Sequence, residues 1–234
     1  MYVHWVVRMK LFPYIIYILL LVSIISGCLG DDSTSENSSG CSDVGAPLPP
    51  EPTADYFSGS TDTATEFIYI EQDIFEISAT HDGSSNFIVW LVDINGNEID
   101  LLFNEIGTYE GSHYIPVVQG LYAFNIDAGG SWTLTIEQPR PITNYNASEA
   151  VYFYGDTAFN PVKLECGLTN ISLAYSGESN FIVWVYDANG RTIDLIANEI
   201  GDYEGSSYIN IPRDGVYLID VTASDGAWGI VITN

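Results

Sequence analysis

Ser85–Ile115 reads SNFIVWLVDINGNEIDLLFNEIGTYEGSHYI, and Ser179–Ile209 reads SNFIVWVYDANGRTIDLIANEIGDYEGSSYI. A module of roughly 95 residues is therefore duplicated in tandem. Over the ungapped match, Ile77–Gln119 against Ile171–Arg213, about 25 of 43 positions are identical, more than shared strand composition alone produces. Further out, YFSGSTDTA from Tyr56 aligns with YFYGDTA from Tyr152. This sets the modules at residues 55–139 and 151–234, with a linker over 140–150 that follows Pro139 and contains Arg140 and Pro141.

Within each module the hydrophobic period is two. Phe75, Ile77 and Ala79 alternate with Glu76, Ser78 and Thr80; Tyr122, Phe124 and Ile126 alternate with Ala123, Asn125 and Asp127; Trp132, Leu134 and Ile136 alternate with Thr133, Thr135 and Glu137. These are half-buried strands, and their spacing between Gly and Asn-Gly punctuation predicts an antiparallel sandwich. One strand departs from alternation. Phe87–Val92 is apolar on both faces, as is Phe181–Tyr186, so each is covered on both sides, by a long loop or a module interface; alternatively Trp90 and Trp184 form a platform for a sugar ring or a partner chain. The expected fold class is all-β: two tandem antiparallel jelly-roll-like β-sandwich modules after an N-terminal lipoprotein signal or anchor helix, with no amphipathic helix beyond that leader.

The two-faced strand runs into Asp93-Ile94-Asn95-Gly96, matched by Asp187-Ala188-Asn189-Gly190. Asn-Gly supplies the left-handed backbone of a tight hairpin turn, and the Asp accepts hydrogen bonds within it. The functional alternative is calcium held by oxygen ligands from Asp93, Asn95 and Asp100, or from Asp187, Asn189 and Asp194. The spacing is not that of an EF-hand. Glu105 and Glu110, with Glu199 and Glu204, fall in the NEIGxYEGS segment, which reads as a solvated loop.

Acidic residues outnumber basic ones by 31 to 6 over 234 residues, and 47% of the chain is hydrophobic, enough for real cores. Arg8 and Lys10 lie in the leader, so the mature chain carries 31 acids against 4 bases, about −27. Such a field repels phosphate backbones, which excludes nucleic-acid binding, and favours cationic partners and high ionic strength.

The leader, residues 1–27, places Lys10 before an apolar run, Leu11–Ile25, that ends in Ser26-Gly27-Cys28. Small residues before a cysteine are what lipoprotein processing requires, so Cys28 is the expected lipidated residue. A retained transmembrane segment is the other reading. Both place the modules on the extracellular face of the cell membrane, and initiation at Met9 would give a more regular leader than Met1. Residues 28–54 form an acidic, Ser-rich and then Pro-rich tether that buries no apolar surface. Cys41 and Cys166 remain, as a bridge or as two thiols. Asn37, Asn146 and Asn170 each open a glycosylation sequon.

The sequence carries no catalytic residues that can be assigned. After the leader only His81 and His113 are present, and the second copy has Tyr175 and Ser207 in their places. No GxSxG, HExxH or phosphate-cradling glycine loop occurs.

SGCLGDD, Ser26–Asp32, resembles the lipobox and acidic start of archaeal surface lipoproteins. FIVWLVDINGN and GLYAFNIDAGGSWTLTI, with FIVWVYDANGR and GVYLIDVTASDGAWGIVI, resemble the strand, Asp-x-x-Gly turn and closing Gly-x-Tyr hairpin of pre-peptidase C-terminal domains; the NEIGxYEGS segment departs from that pattern. The resemblance implies an accessory or binding module of exported proteins, in some cases cation-stabilised. The expected function is that of a lipid-anchored extracellular protein with a non-catalytic binding or envelope-structural role, without a cofactor unless calcium binds. Its expected partners are the membrane, a glycan or a surface-layer protein. A carboxylate-dependent hydrolase acting on surface glycans is the alternative, and would require the acids to line one cleft.

Overall fold

The computed structural model describes residues 54–138 and 150–233. These form antiparallel β-structure with sandwich character, and no helix occurs among them. The first repeat contains β1 (Asp55–Gly59), β2 (Thr63–Ala64), β3 (Ile68–Ile70), β4 (Ile74–Asp93), β5 (Glu98–Ile106), β6 (Tyr109–Pro116) and β7 (Gly120–Glu137). The second contains β8 (Val151–Tyr154), β9 (Thr157–Leu164), β10 (Gly167–Ser176), β11 (Asn180–Asp187), β12 (Thr192–Ile200), β13 (Tyr203–Ile211), β14 (Gly215–Thr222) and β15 (Ala227–Thr233).

Strand pairing repeats as the sequence does. In the second repeat one sheet runs β13-β10-β15-β8 and the other β12-β11-β14-β9. In the first, the long β4 stands in for both β10 and β11, and β7 for both β14 and β15: β4 pairs with β6 along its first half and β5 along its second, while β7 follows it throughout. The β4–β7 register breaks once, between Gly83 and Phe87, where the strands turn the corner from one sheet layer to the other. The second repeat interrupts the chain at that corner instead, with Gly177–Ser179 separating β10 from β11.

The alternating residues fill the cores. Phe75, Ile77, Phe124, Leu134 and Ile136 are buried in the first, with Phe87, Val89 and Leu91 from the two-faced strand. Their counterparts Ile171, Phe181, Val183, Val185, Ile219 and Ile230 fill the second, drawing on both of its sheets. Burying each such side chain contributes about 1.5–3 kcal/mol. His81 stacks on Phe87 with ring centroids 5.0 Å apart, and Tyr175 takes its place on Phe181 at 4.7 Å. The His81 Nδ1 is 2.6 Å from the Gly107 carbonyl, whereas its Nε2 is buried with no partner.

One local reading differs from the sequence expectation. The NEIGxYEGS segments are not loops: Glu105 and Glu199 lie in β5 and β12, Glu110 and Glu204 in β6 and β13, and only two residues turn between those strands. Gly107 (φ 93°) and Gly201 (φ 83°) supply the left-handed residue that makes so short a turn feasible. The acids gave the segment a polar look, yet each falls on an edge strand, where a charge is tolerated. Of the two covers expected for the two-faced strand, a long loop or a module interface, the outer face of β11 has the second: it is covered by the first repeat. Trp184 and Ala158 pack on a separate buried cluster of Ile74, Tyr114, Tyr186 and Leu218, which joins β4 and β6 to β11 and β14.

Candidate functional site

The repeats meet along β6, and this strand positions the chain's most chemically capable groups. Tyr109, Gly111 and His113 lie on one face of it, Ser112 and Tyr114 on the other. His113 points into the second repeat between two carboxylates: its Nδ1 is 3.2 Å from each oxygen of Asp220 on β14, and its Nε2 is 3.6 Å from Asp156 Oδ2 in the β8–β9 turn. Both nitrogens face carboxylate oxygens, an arrangement that favours the doubly protonated imidazolium. Only 12% of its side chain is exposed. Burial works against the charge, but Asp220 and Asp156 outweigh it and push the His113 pKa up to about 10.

Asp156 is tied from several directions. Its Oδ1 accepts the Ala223 N–H at 2.7 Å and the Ser224 hydroxyl at 3.3 Å, and its Oδ2 accepts the Tyr109 hydroxyl at 2.9 Å. Burial raises its pKa, and the His113, Ala223 and Tyr109 donors more than reverse this, leaving it below the ordinary aspartate range. The Tyr109 phenol is driven strongly upward, by burial first and by Asp156 next. Asp220 also accepts the Tyr114 N–H at 2.9 Å, while the Tyr114 hydroxyl donates to the Phe159 carbonyl at 3.0 Å. Backbone crosses the boundary too: Ser112 N–H donates to the Asp156 carbonyl, and Ala158 N–H to Ser112 Oγ.

Beside this network lies a cleft of about 310 Å³, bordered by Asp100, Asn104, Glu105, Trp184, Tyr186 and Asp220 among others. Glu105 is half-buried, and its pKa is raised by burial and by Asp156, with His113 opposing. Nearby, Glu76 is raised to about 7 by burial and by the neighbouring Glu137 and Asp220. Chemically the arrangement is a charged clamp with a small acidic, aromatic recess.

The residues singled out from sequence are dispersed. Trp184 borders the cleft and stacks at 6.4 Å on Tyr186, whereas Trp90 is half-buried on the outer face of the first repeat. Asp93 closes its own turn: Oδ1 accepts the Asn95 and Asn97 N–H groups at 2.8 and 2.9 Å, and the Asn97 amide donates to Oδ2 at 2.8 Å. Those bonds hold the Asp93 pKa low. Asp187 does the same with Asn189 and Arg191, and its Oδ2 meets Arg213 at 3.2 Å. Asp100 and Asp194 each accept the next residue's N–H at 2.9 Å. Among the described residues no group of three or more His, Cys, Asp or Glu is disposed to hold a metal ion. Asn170 lies on β10 and accepts from Ser172 Oγ. Cys166 is disulfide-bonded, and its N–H donates to Asp214 at 2.7 Å. Cys28, Asn37, Cys41 and Asn146 lie outside the described residues.

His113 and Asp220 were not legible as partners from the repeat itself. The signal lay in its departures, for the positions equivalent to His113 and Asp220 hold Ser207 and Asn125.

No family model matches the chain, and no curated protein matches it. Among solved structures it is similar to the PBSX exported protein XepA, at 8% identity over 78% of this chain and 86% of that one, with a TM-score of 0.26. It is similar also to a fucolectin from striped bass (Morone saxatilis) serum, at 11% identity over 76% and 83%, TM-score 0.22. A third is oxalate decarboxylase of Bacillus subtilis, at 12% identity over 78% and 68%, TM-score 0.23. Likenesses at this level carry no argument about the chain.

Proposed function

We propose that the chain is a lipid-anchored, non-catalytic protein of the extracellular face, in which two jelly-roll sandwiches form one rigid envelope element. The observation that carries this reading is the placement of His113, Asp156, Asp220 and Tyr109: the groups best suited to chemistry are turned on one another across the repeat boundary, where they lock rather than react. The jelly-roll part draws support from strand order. Numbering β8 to β15 as one to eight, the two sheets run 1-8-3-6 and 2-7-4-5, the winding of a double-sheet jelly roll. Anchoring rests on the apolar leader and Cys28, and the tether places the sandwiches away from the bilayer. Cys41 is the proposed partner of Cys166, and a bridge there would tie the tether to the second repeat. Calcium is not required, because the turn carboxylates already have backbone donors.

The hydrolase alternative retains one specific support, the raised Glu105 beside the cleft. The deciding experiment combines membrane fractionation with a glycan and cell-wall array. Wild-type protein should remain with membranes and leave every glycan uncleaved, and Cys28→Ser should release it or stop its maturation. Glycan cleavage abolished by Glu105→Gln would replace this reading with the hydrolase, and full membrane retention of processed Cys28→Ser would remove the lipid anchor.

A further inference from the structure

The interface between the repeats uses one surface from each, and each repeat also carries the surface it does not use. Ile74 and Tyr114 of the first repeat dock on the second and are 0% and 2% exposed. Their equivalents Leu168 and Tyr208 share the same cross-strand register, since Asn170 opposes Tyr208 as Glu76 opposes Tyr114, yet they are 63% and 69% exposed. The receiving surface is repeated as well. Trp90 and Asn125 are paired on β4 and β7 as Trp184 and Asp220 are on β11 and β14. Asp62 accepts the Ala128 N–H through Oδ1 as Asp156 accepts that of Ala223. Around them Leu101, Leu121 and Tyr69 lie exposed. At the rim, a side chain at Gly190 would collide with Asp73 and Ile74 of the docked first repeat, whereas nothing stands within 4 Å of its equivalent, Gly96.

We propose that a second copy of this chain docks its paired β10 and β13, through Leu168 of β10 and Tyr208 of β13, onto the Trp90–Asn125 face of the first repeat, so that copies join head to tail. The chemistry of the two unused surfaces commits them to each other. In the internal contact both partners are charged, His113 against Asp220; in the contact between copies both are neutral, Ser207 against Asn125. A crossed pairing would bury His113 or Asp220 alone, which costs several kcal/mol, so the substitutions keep the two contacts from exchanging. Tyr203 and Asp62 are the equivalents of Tyr109 and Asp156, so the contact between copies would offer the same phenol-to-carboxylate bond. Val92 and Ala123 replace Tyr186 and Leu218 and are only 5% and 3% exposed, so the receiving face offers less apolar area and the contact is weaker than the internal one. A head-to-tail contact is heterologous and generates a ring or an open filament. Because the copies are strongly acidic, association should strengthen with salt.

This inference rests on the structural reading of the protein, and its test is separate. The full chain in detergent should form oligomers larger than dimers in sedimentation velocity, more in 2 M than in 0.1 M sodium chloride. Tyr208→Asp and Asn125→Arg change exposed positions, so each should fold with an unaltered melting point and remain monomeric, with self-association weakened at least roughly tenfold. Mixed in equal amounts, they should give a one-to-one dimer and nothing larger, since one supplies the intact β13 and the other the intact receiving face. Asn125→Asp alone should weaken assembly, and Ser207→His added to it should restore it. Wild-type protein that stays monomeric at both salt concentrations overturns the proposal, as does a mixture that yields no heterodimer. If such protein still fractionates with membranes and cleaves nothing, the envelope reading stands and only head-to-tail docking falls.

Discussion

The imidazole of His113, in the first repeat, sits 3.2 Å from both carboxylate oxygens of Asp220 in the second. The pair is the charged tie among several contacts that join the two sandwiches, and removing either partner leaves a nearly buried charge without its counter-charge. His113→Ser should cost about 3–5 kcal/mol of stability, and Asp220→Asn a similar amount. The double variant His113→Ser with Asp220→Asn should recover a large part of the sum, because it reproduces the neutral pair Ser207 and Asn125. Urea denaturation of all four proteins measures the coupling, and strictly additive losses would exclude it.

The pH dependence has a definite sign. His113 titrates at about 10 in the fold against an ordinary 6.5, so its contribution is complete below 6.5 and is lost as pH rises through 10. Glu76 titrates at about 7 against 4.5, so between those values the fold holds a proton that the unfolded chain has released, and stability falls with rising pH there too. Asp156 acts at the acid end: its lowered pKa contributes above 3.8 and is lost on further acidification. Stability should therefore peak near pH 4.5 and decline toward pH 10. In thermal melts, Glu76→Gln should flatten the step between 4.5 and 7, and His113→Ser the step between 6.5 and 10.

The Asp-x-Asn-Gly turns yield a metal test. Four donors already engage Asp93, and Asp187 faces two backbone N–H groups and the side chains of Arg191 and Arg213. Calcium and magnesium at equal ionic strength should shift the melting temperature equally and slightly, with Asp100→Asn leaving both responses intact. A calcium-specific rise that disappears in Asp100→Asn and Asp194→Asn would assign a site, since a ligand at a hundredfold excess over Kd adds about 2.7 kcal/mol.

Repulsion among about 25 uncompensated charges, 31 acids less 6 bases, should make the fold salt-requiring. Screening acts within about 10 Å at 0.1 M. Melting temperature should rise from near-zero to molar sodium chloride, and a flat response would place most of the acids in local pairs.

Much of the fold was legible because alternation and duplication are strong signals. Phe75, Ile77, Leu134 and Ile136 read as inward-facing and are buried, and the Asn-Gly stretches read as turns and are turns. The Glu105–Glu110 stretch misled, since acids on an edge strand look like a loop when the pairing partner is unknown. The site was hidden for a different reason. His113 and Asp220 lie 107 residues apart, and their meeting depends on how two complete sandwiches dock, which no local pattern records. Trp184 was visible as an oddity on a two-faced strand with a module interface among its expected covers, but the residues that cover it, Ile74 and Tyr114, were not.

The first and last strands of each repeat lie side by side: Asp55 opposes Ile136 on β1 and β7, and Val151 opposes Ile230 on β8 and β15. A unit whose two chain ends are neighbours can be inserted into a gene, or deleted from it, without cutting through any sheet. The ancestral duplication would thus have needed only a connecting segment and a place for the new unit to rest, and the same geometry leaves the number of units open to further evolutionary change.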